Sequence, residues 1–142
     1  MAATEFRQVV SVFLASPGDL KDEREIARGV VARFNWLYSR FFSLTVELVV
    51  WEDVPSAHGR PQEIINRDHL ARCELFVGML NEAWGSNTGK YSSGFEEEFT
   101  IAEESLNATG RPAMGLLFKH VDDRRVKDPG KDFAKVLAFK ES

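Results

Sequence analysis

Four short apolar runs, each followed by enough chain to hold a helix, constrain this sequence most. They are Gln8–Ala15, Leu44–Trp51, Cys73–Leu80 and Ala113–Phe118. The first and third are almost continuously apolar, which suits strands buried on both faces of a parallel sheet. The second alternates Val46, Leu48 and Val50 against Thr45, Glu47 and Val49. Between the first two runs, Ser16-Pro17-Gly18-Asp19 breaks the chain. Asp19 is the expected N-cap of the next helix, with Asp22 and Glu23 at the positive end of its dipole. That helix carries Ile26, Val30, Phe34, Leu37 and Phe41 on one stripe, the spacing of an amphipathic helix expected to face a core.

The rest of the chain keeps the alternation. Glu52–Arg60 reads as a polar loop before Pro61, and a short helix with Ile64, Ile65 and Leu70 follows. Asn81–Gly94 is a long loop holding Trp84, Gly85, Gly89 and Gly94. A second long helix ends near Gly110, a C-cap candidate. His120–Gly130 reads as a charged loop, and Lys131–Lys140 starts a last helix. Regular alternation predicts one open α/β sheet with helices on both faces. Ligands of such sheets bind beyond the carboxyl ends of the strands, where strand order reverses. Ser16–Asp19, Glu52–Arg60, Asn81–Gly94 and the start of the next helix all fall at that edge.

Composition narrows the classes. With 142 residues, 44% apolar and 28% charged, the chain has the make-up of one globular domain. A net charge of −4 argues against direct nucleic-acid binding, which ordinarily uses a basic face. The single cysteine, Cys73, excludes an intrachain disulfide and suggests a reducing, cytoplasmic setting. No run approaches the roughly 18–20 apolar residues of a membrane helix, and no leader peptide is evident. The ending Val136–Lys140 keeps a helical pattern without a cap, which suggests the N-terminal part of a longer protein.

One acidic run stands out at the ligand edge. In Ser92–Ala102, a wheel centred on Phe95 puts Phe99, Ala102 and Leu106 within about 40°. Glu98 falls near 300°, inside the apolar arc, whereas Glu96, Glu97, Glu103 and Glu104 fall at about 80–200° and are expected to be solvated. A carboxylate beside apolar surface needs partners, so Glu98 is either a partly buried glutamate serving its own first turn or a functional group.

Other motifs are weaker. Neither a Walker loop nor G-x-G-x-x-G follows the first strand. Ser16–Asp19 still leads into a helix N-terminus, where Asp19 fits a ribose hydroxyl better than a phosphate. Arg24 lies away from the apolar stripe and reads as a surface residue. His58, His69, His120 and Cys73 lack metal-ligand spacing, no G-x-S-x-G elbow is present, and Cys73 reads as core. Trp51 and Trp84 end or follow strands at the ligand edge, as base-stacking groups or as packing.

Several motifs together carry a resemblance. They are Val12–Leu20 with Glu23-Arg24-Glu25, Trp51-Glu52-Asp53, Gly59-Arg60-Pro61-Gln62, Cys73–Gly78, Trp84-Gly85, Thr88-Gly89 and Ser93–Phe99. Phe118-Lys119 and Asp128-Pro129-Gly130 extend it. Over nearly its whole length the chain resembles the DUF4062 family, a branch of the TIR-like superfamily. That resemblance implies a flavodoxin-like domain related to TIR NAD hydrolases and nucleoside deoxyribosyltransferases. In those relatives a glutamate opens a helix after a strand and loop, with a small residue four positions later. Glu98 and Ala102 fit that frame, and Glu97 does not.

The resemblance implies that NAD⁺, or a related nucleotide, is substrate, with no cofactor required. Glu98 would be catalytic, and Ser16, Asp19, Trp51, Asp53, Asn81, Trp84 and Gly94 would contact substrate. It also implies an N-terminal place in bacterial anti-phage or signalling proteins, before sensor or repeat regions, with activation by self-association. A non-catalytic assembly module and a base-exchange enzyme are the alternatives.

Overall fold

The computed structural model describes residues 3–50 and 69–142. Strands β1 (Gln8–Ala15), β2 (Leu44–Val50), β3 (Leu75–Leu80) and β4 (Ala113–Phe118) form one sheet. Its order is β2-β1-β3-β4, and every pairing is parallel. Helices α1 (Lys21–Phe42), α2 (Gly94–Thr109), α3 (Asp123–Lys127) and α4 (Gly130–Glu141), with 3-10 turns at Gly18–Leu20 and Leu70–Arg72, complete the described elements. This is an α/β fold of flavodoxin-like order. Strand order reverses between β1 and β3, so a crevice is expected beyond Ala15 and Leu80.

The core lies on the side of the sheet that receives α2 and α4. Phe13 of β1 is in register with Phe76 of β3, and their rings stack at 6.1 Å. Phe95 and Phe99 of α2 and Phe139 of α4 pack edge to face over this layer, with Trp84 against them. Gly78 lets α2 approach. A Cβ there would lie 3.0 Å from the Phe95 ring and 2.7 Å from Leu116. Burial along β1 is confined to its second half, Phe13 to Ala15, and Val9 is 53% exposed. The expectation of a strand buried on both faces therefore holds only where β1 reaches the core.

Helix α1 reverses its expected orientation. Of the stripe predicted to face the core, Ile26, Val30, Leu37 and Phe41 are 66%, 62%, 44% and 80% exposed, and only Phe34 is half-buried. The opposite side carries the attachment. Asn35 donates to the Val46 carbonyl and accepts from the Val46 N–H, both at 2.9 Å, pairing its amide with the β2 backbone. The Ser39 hydroxyl donates to the Leu44 carbonyl at 2.5 Å and lies 3.0 Å from the Thr45 hydroxyl. Ser43, left-handed at φ 53°, ends α1 and leads directly into β2. An unpaired backbone edge needs polar partners, so the polar side of α1 is drawn to β2 and the apolar stripe faces outward.

The remaining boundaries follow local chemistry. Ser93 caps α2 by accepting from the Glu96 N–H, and Gly110 ends it at φ 80° as expected. The predicted charged loop contains α3, whose N-cap Asp122 accepts from Arg124 N–H. The expected short helix after Pro61 lies outside the described residues except for a 3-10 turn at Leu70–Arg72. No described helix is long and apolar enough to cross a membrane.

Candidate functional site

Two segments meet at the reversal of strand order. The segment after β1 contributes Ser16, Pro17 and Asp19, and the segment after β3 contributes Asn81 to Ala83. Asp19 is exposed and does not cap α1 as predicted. Its carboxylate instead accepts from the Glu82 N–H at 3.2 Å and the Ala83 N–H at 3.1 Å. It thus joins the two loops and occupies backbone donors that could otherwise hold an anion. Ser16 is 7% exposed, and its hydroxyl accepts from the Arg24 guanidinium at 3.0 Å. Arg24 also donates to the Pro17 carbonyl at 2.9 Å.

Arg24 is 1% exposed, which corrects its reading as a surface residue. The wheel placed it correctly, away from the apolar stripe, but that stripe faces outward and turns Arg24 inward. A buried guanidinium must be hydrogen-bonded to persist. Here it braces the β1–α1 turn from beneath. Nearby, the Lys119 ammonium pairs with Glu23, linking the end of β4 to the start of α1. That hydrogen bond holds the Glu23 carboxyl below the usual glutamate range and raises the Lys119 ammonium above the usual lysine range.

The first two turns of α2 supply the carboxylates. The Ser92 N–H donates to Glu96 at 3.0 Å while Ser93 accepts from Glu96 N–H at 3.0 Å, a reciprocal cap that fixes the helix start. Gly94 is the first residue of α2 and is half-buried. Glu98 is 6% exposed, as its place in the apolar arc predicts. Glu97 is 1% exposed, contrary to the expected solvated position. Both glutamates are engaged in interactions. Glu103 and Glu104 are exposed as expected. A wheel assumes one buried side along the whole helix, but α2 is contacted by more than the sheet. The 3-10 turn Leu70–Arg72 packs against this helix as well as the sheet. No periodicity signal could have found Glu97.

Other predicted residues separate. Trp84 is 5% exposed and packs on Phe95 and Phe139. Its indole N–H donates to the Ser92 hydroxyl at 2.8 Å, and its backbone N–H donates to Asp132 at 3.1 Å. Its ring therefore serves packing and anchors the loop to α2 and α4. Asn81 is half-buried and lines a cavity of about 290 Å³ with Phe118, Lys119, His120, Phe133 and Lys140. Glu98 is not part of that lining. Trp51 and Asp53 lie outside the described residues. Cys73 is buried, its thiol donating to the Leu70 carbonyl, and burial pushes the thiol pKa up to about 11, as suits a core residue and not a nucleophile.

The structure thus brings Ser16, Arg24, Asp19 and the loop after β3 to one edge, with Glu97 and Glu98 buried near the start of the helix after that loop. No curated protein and no solved structure matches the chain. The family described as "Domain of unknown function (DUF4062)" matches residues 11–142, and the chain belongs to it.

Proposed function

We propose that this chain is a TIR-like effector domain that hydrolyses NAD⁺ at the nicotinamide–ribose bond. In this reading it acts in the cytoplasm, in bacterial anti-phage defence, under sensor or repeat regions of a longer protein. The observation that carries the reading is Glu98: a carboxylate only 6% exposed, one turn into the capped helix that follows β3. Nicotinamide is a cationic leaving group in NAD⁺ and departs neutral, so no acid is needed to protonate it. One carboxylate held away from water can stabilise the oxocarbenium-like ribosyl centre or hold the ribose hydroxyls. Water then adds to the ribosyl carbon, giving ADP-ribose and a proton. In this reading Ser16, Asn81 and Gly94 line the ribose and phosphate side, and Arg24 and Asp19 position the loops.

The test is nicotinamide release from NAD⁺ by the protein clustered on beads or through a fused oligomer. Glu98→Gln is expected to lower the rate at least ~100-fold, while the exposed control Glu104→Gln retains it. Wild-type-like turnover in Glu98→Gln removes the assignment. Release of nicotinamide only when another base is supplied identifies a base-exchange enzyme instead. A second reading, a non-catalytic assembly module, is favoured by the outward apolar stripe of α1. No turnover of NAD⁺ or nucleosides by the clustered protein selects it.

A further inference from the structure

We infer that the cavity between the end of β4, α3 and α4 is a second ligand site, for a small monocarboxylate with an apolar body. This inference does not rest on NAD⁺ chemistry, because Glu98 does not line the cavity. Its volume of about 290 Å³ lies at the lower end of ligand pockets, which run from about 300 to 1,000 Å³. Such a space suits one ring with a short arm and not a dinucleotide. The floor is built from the core. Phe133 and Val136 of α4 are 3% and 2% exposed, with Phe118 and Leu137 packed against the same cluster. A floor anchored in close-packed core is largely pre-formed.

Charge chooses the class of ligand. Lys119, His120 and Lys140 all reach this lining, but they are not equally occupied. Lys119 is paired with Glu23. The Lys140 ammonium lies 5.3 Å from the centre of the Phe118 ring, and neither it nor His120 makes a hydrogen bond or ion pair among the described residues. Lys140 thus sets one ammonium beside an aromatic wall, which suits a carboxylate carried on an apolar body. Asp123 also lines the cavity and opposes a dianion, so a phosphate monoester fits less well. The cover is α3, a five-residue helix with no buried residue, which contributes Val126. Arg125 holds it in place, donating to the Glu82 carboxylate at 2.6 Å and lying 6.0 Å from the centre of the Phe133 ring. Glu82 follows Asn81, which lines the cavity, and its N–H is one of the two that Asp19 accepts. A ligand beneath α3 therefore bears on the loop that Asp19 ties to the crevice.

Backbone-amide NMR of the chain, titrated with phenylacetate, tests this. Saturable shifts are expected over residues 118–126 and 133–140 and at Glu82 and Ala83, with a Kd on the order of 0.1–1 mM. Phenylacetamide keeps the body and loses the charge, and acetate keeps the charge and loses the body. Each should bind at least about tenfold more weakly. Lys140→Met keeps an apolar stem without the ammonium, and should weaken phenylacetate about tenfold while leaving phenylacetamide unchanged. Val126→Glu puts a second negative charge on the lining and should abolish binding of the acid. Lys135→Met, on α4 but outside this cavity, should retain it. Lys140 and Val126 are exposed, so an unchanged thermal melt separates loss of the site from unfolding. The inference is overturned by the absence of saturable shifts, by phenylacetamide binding as tightly as the acid, or by wild-type affinity in Lys140→Met. Tighter binding of phenyl phosphate overturns the choice of a monoanion. Displacement of phenylacetate by NAD⁺ overturns the inference too, because the cavity would then belong to the substrate site. Shifts are read and not turnover, so failure here leaves the proposed chemistry standing.

Discussion

Helices α1 and α2 carry comparable apolar stripes, yet the fold uses them in opposite ways. Helix α2 buries its stripe, with Phe95 4% exposed and Ala102 1% exposed, against the Phe13–Phe76 layer and Phe139. Helix α1 turns its stripe outward and is attached by Asn35, Ser39 and Arg24. An apolar stripe therefore says that a helix has a side to cover, and does not say whether this chain or another covers it. The physical difference lies in what each helix meets. Helix α2 lies over a strand, β3, whose Gly78 admits its aromatic rings. Helix α1 packs along β2, an edge strand to whose backbone Asn35 and Ser39 hydrogen-bond.

The sharpest way to break this comparison is truncation of one aromatic on each helix, followed by urea unfolding at low protein concentration. Phe95→Ala is expected to cost about 3–5 kcal/mol, because the core cannot close over a missing ring. Phe41→Ala, on the exposed side of α1, should stay within about 0.5 kcal/mol. Equal losses would show that the α1 stripe is covered within this chain. Next in size is Asn35→Ala, expected to cost about 1–3 kcal/mol because it leaves both polar groups of Val46 without their partner. An unchanged unfolding midpoint in that variant would mean that the amide pairing does not hold α1 to β2.

The smallest effect is electrostatic and ties the start of α1 to the end of β4. Glu23 has a lowered pKa in the fold, so its contribution is present above the ordinary glutamate value, about 4.3, and fades as pH falls through its folded pKa. Lys119 has a raised pKa, so its contribution is fully present below the ordinary lysine value, about 10.4, and fades as pH rises through its folded pKa. Melting temperatures of wild type and Glu23→Gln should differ slightly at neutral pH and converge below about pH 4. A gap that persists in acid would show that Glu23 acts through packing and not charge. The pair is on the surface, so the neutral-pH difference should shrink with added salt.

The site was legible to the same degree as the helices. Glu98 could be identified on the wheel because it shares the arc of Phe95 and Ala102, and that arc is the one α2 buries. Glu97 could not, because its angle lies outside the apolar arc and its burial is set by tertiary packing. Arg24 was invisible for the converse reason: its angle on the helix was readable, but the side of α1 that faces the fold was not. Asp19 reads as an N-cap in sequence because an aspartate before a helix ordinarily serves that role. In the fold, two N–H groups from a loop more than sixty residues onward take its carboxylate instead.

Local chemistry by itself determined the alternating strands and helices, the N- and C-terminal signals of α2 and the buried position of Glu98. Each depends on side-chain type and on spacing within a few turns of chain. The tertiary structure alone decided that β1 lies between β2 and β3, that α1 faces outward, and that Trp84 belongs to the core. It alone buried Arg24 and Glu97 and tied Asp19 across the crevice. Those outcomes depend on which groups arrive from distant parts of the chain, and a periodicity along one helix carries no record of them.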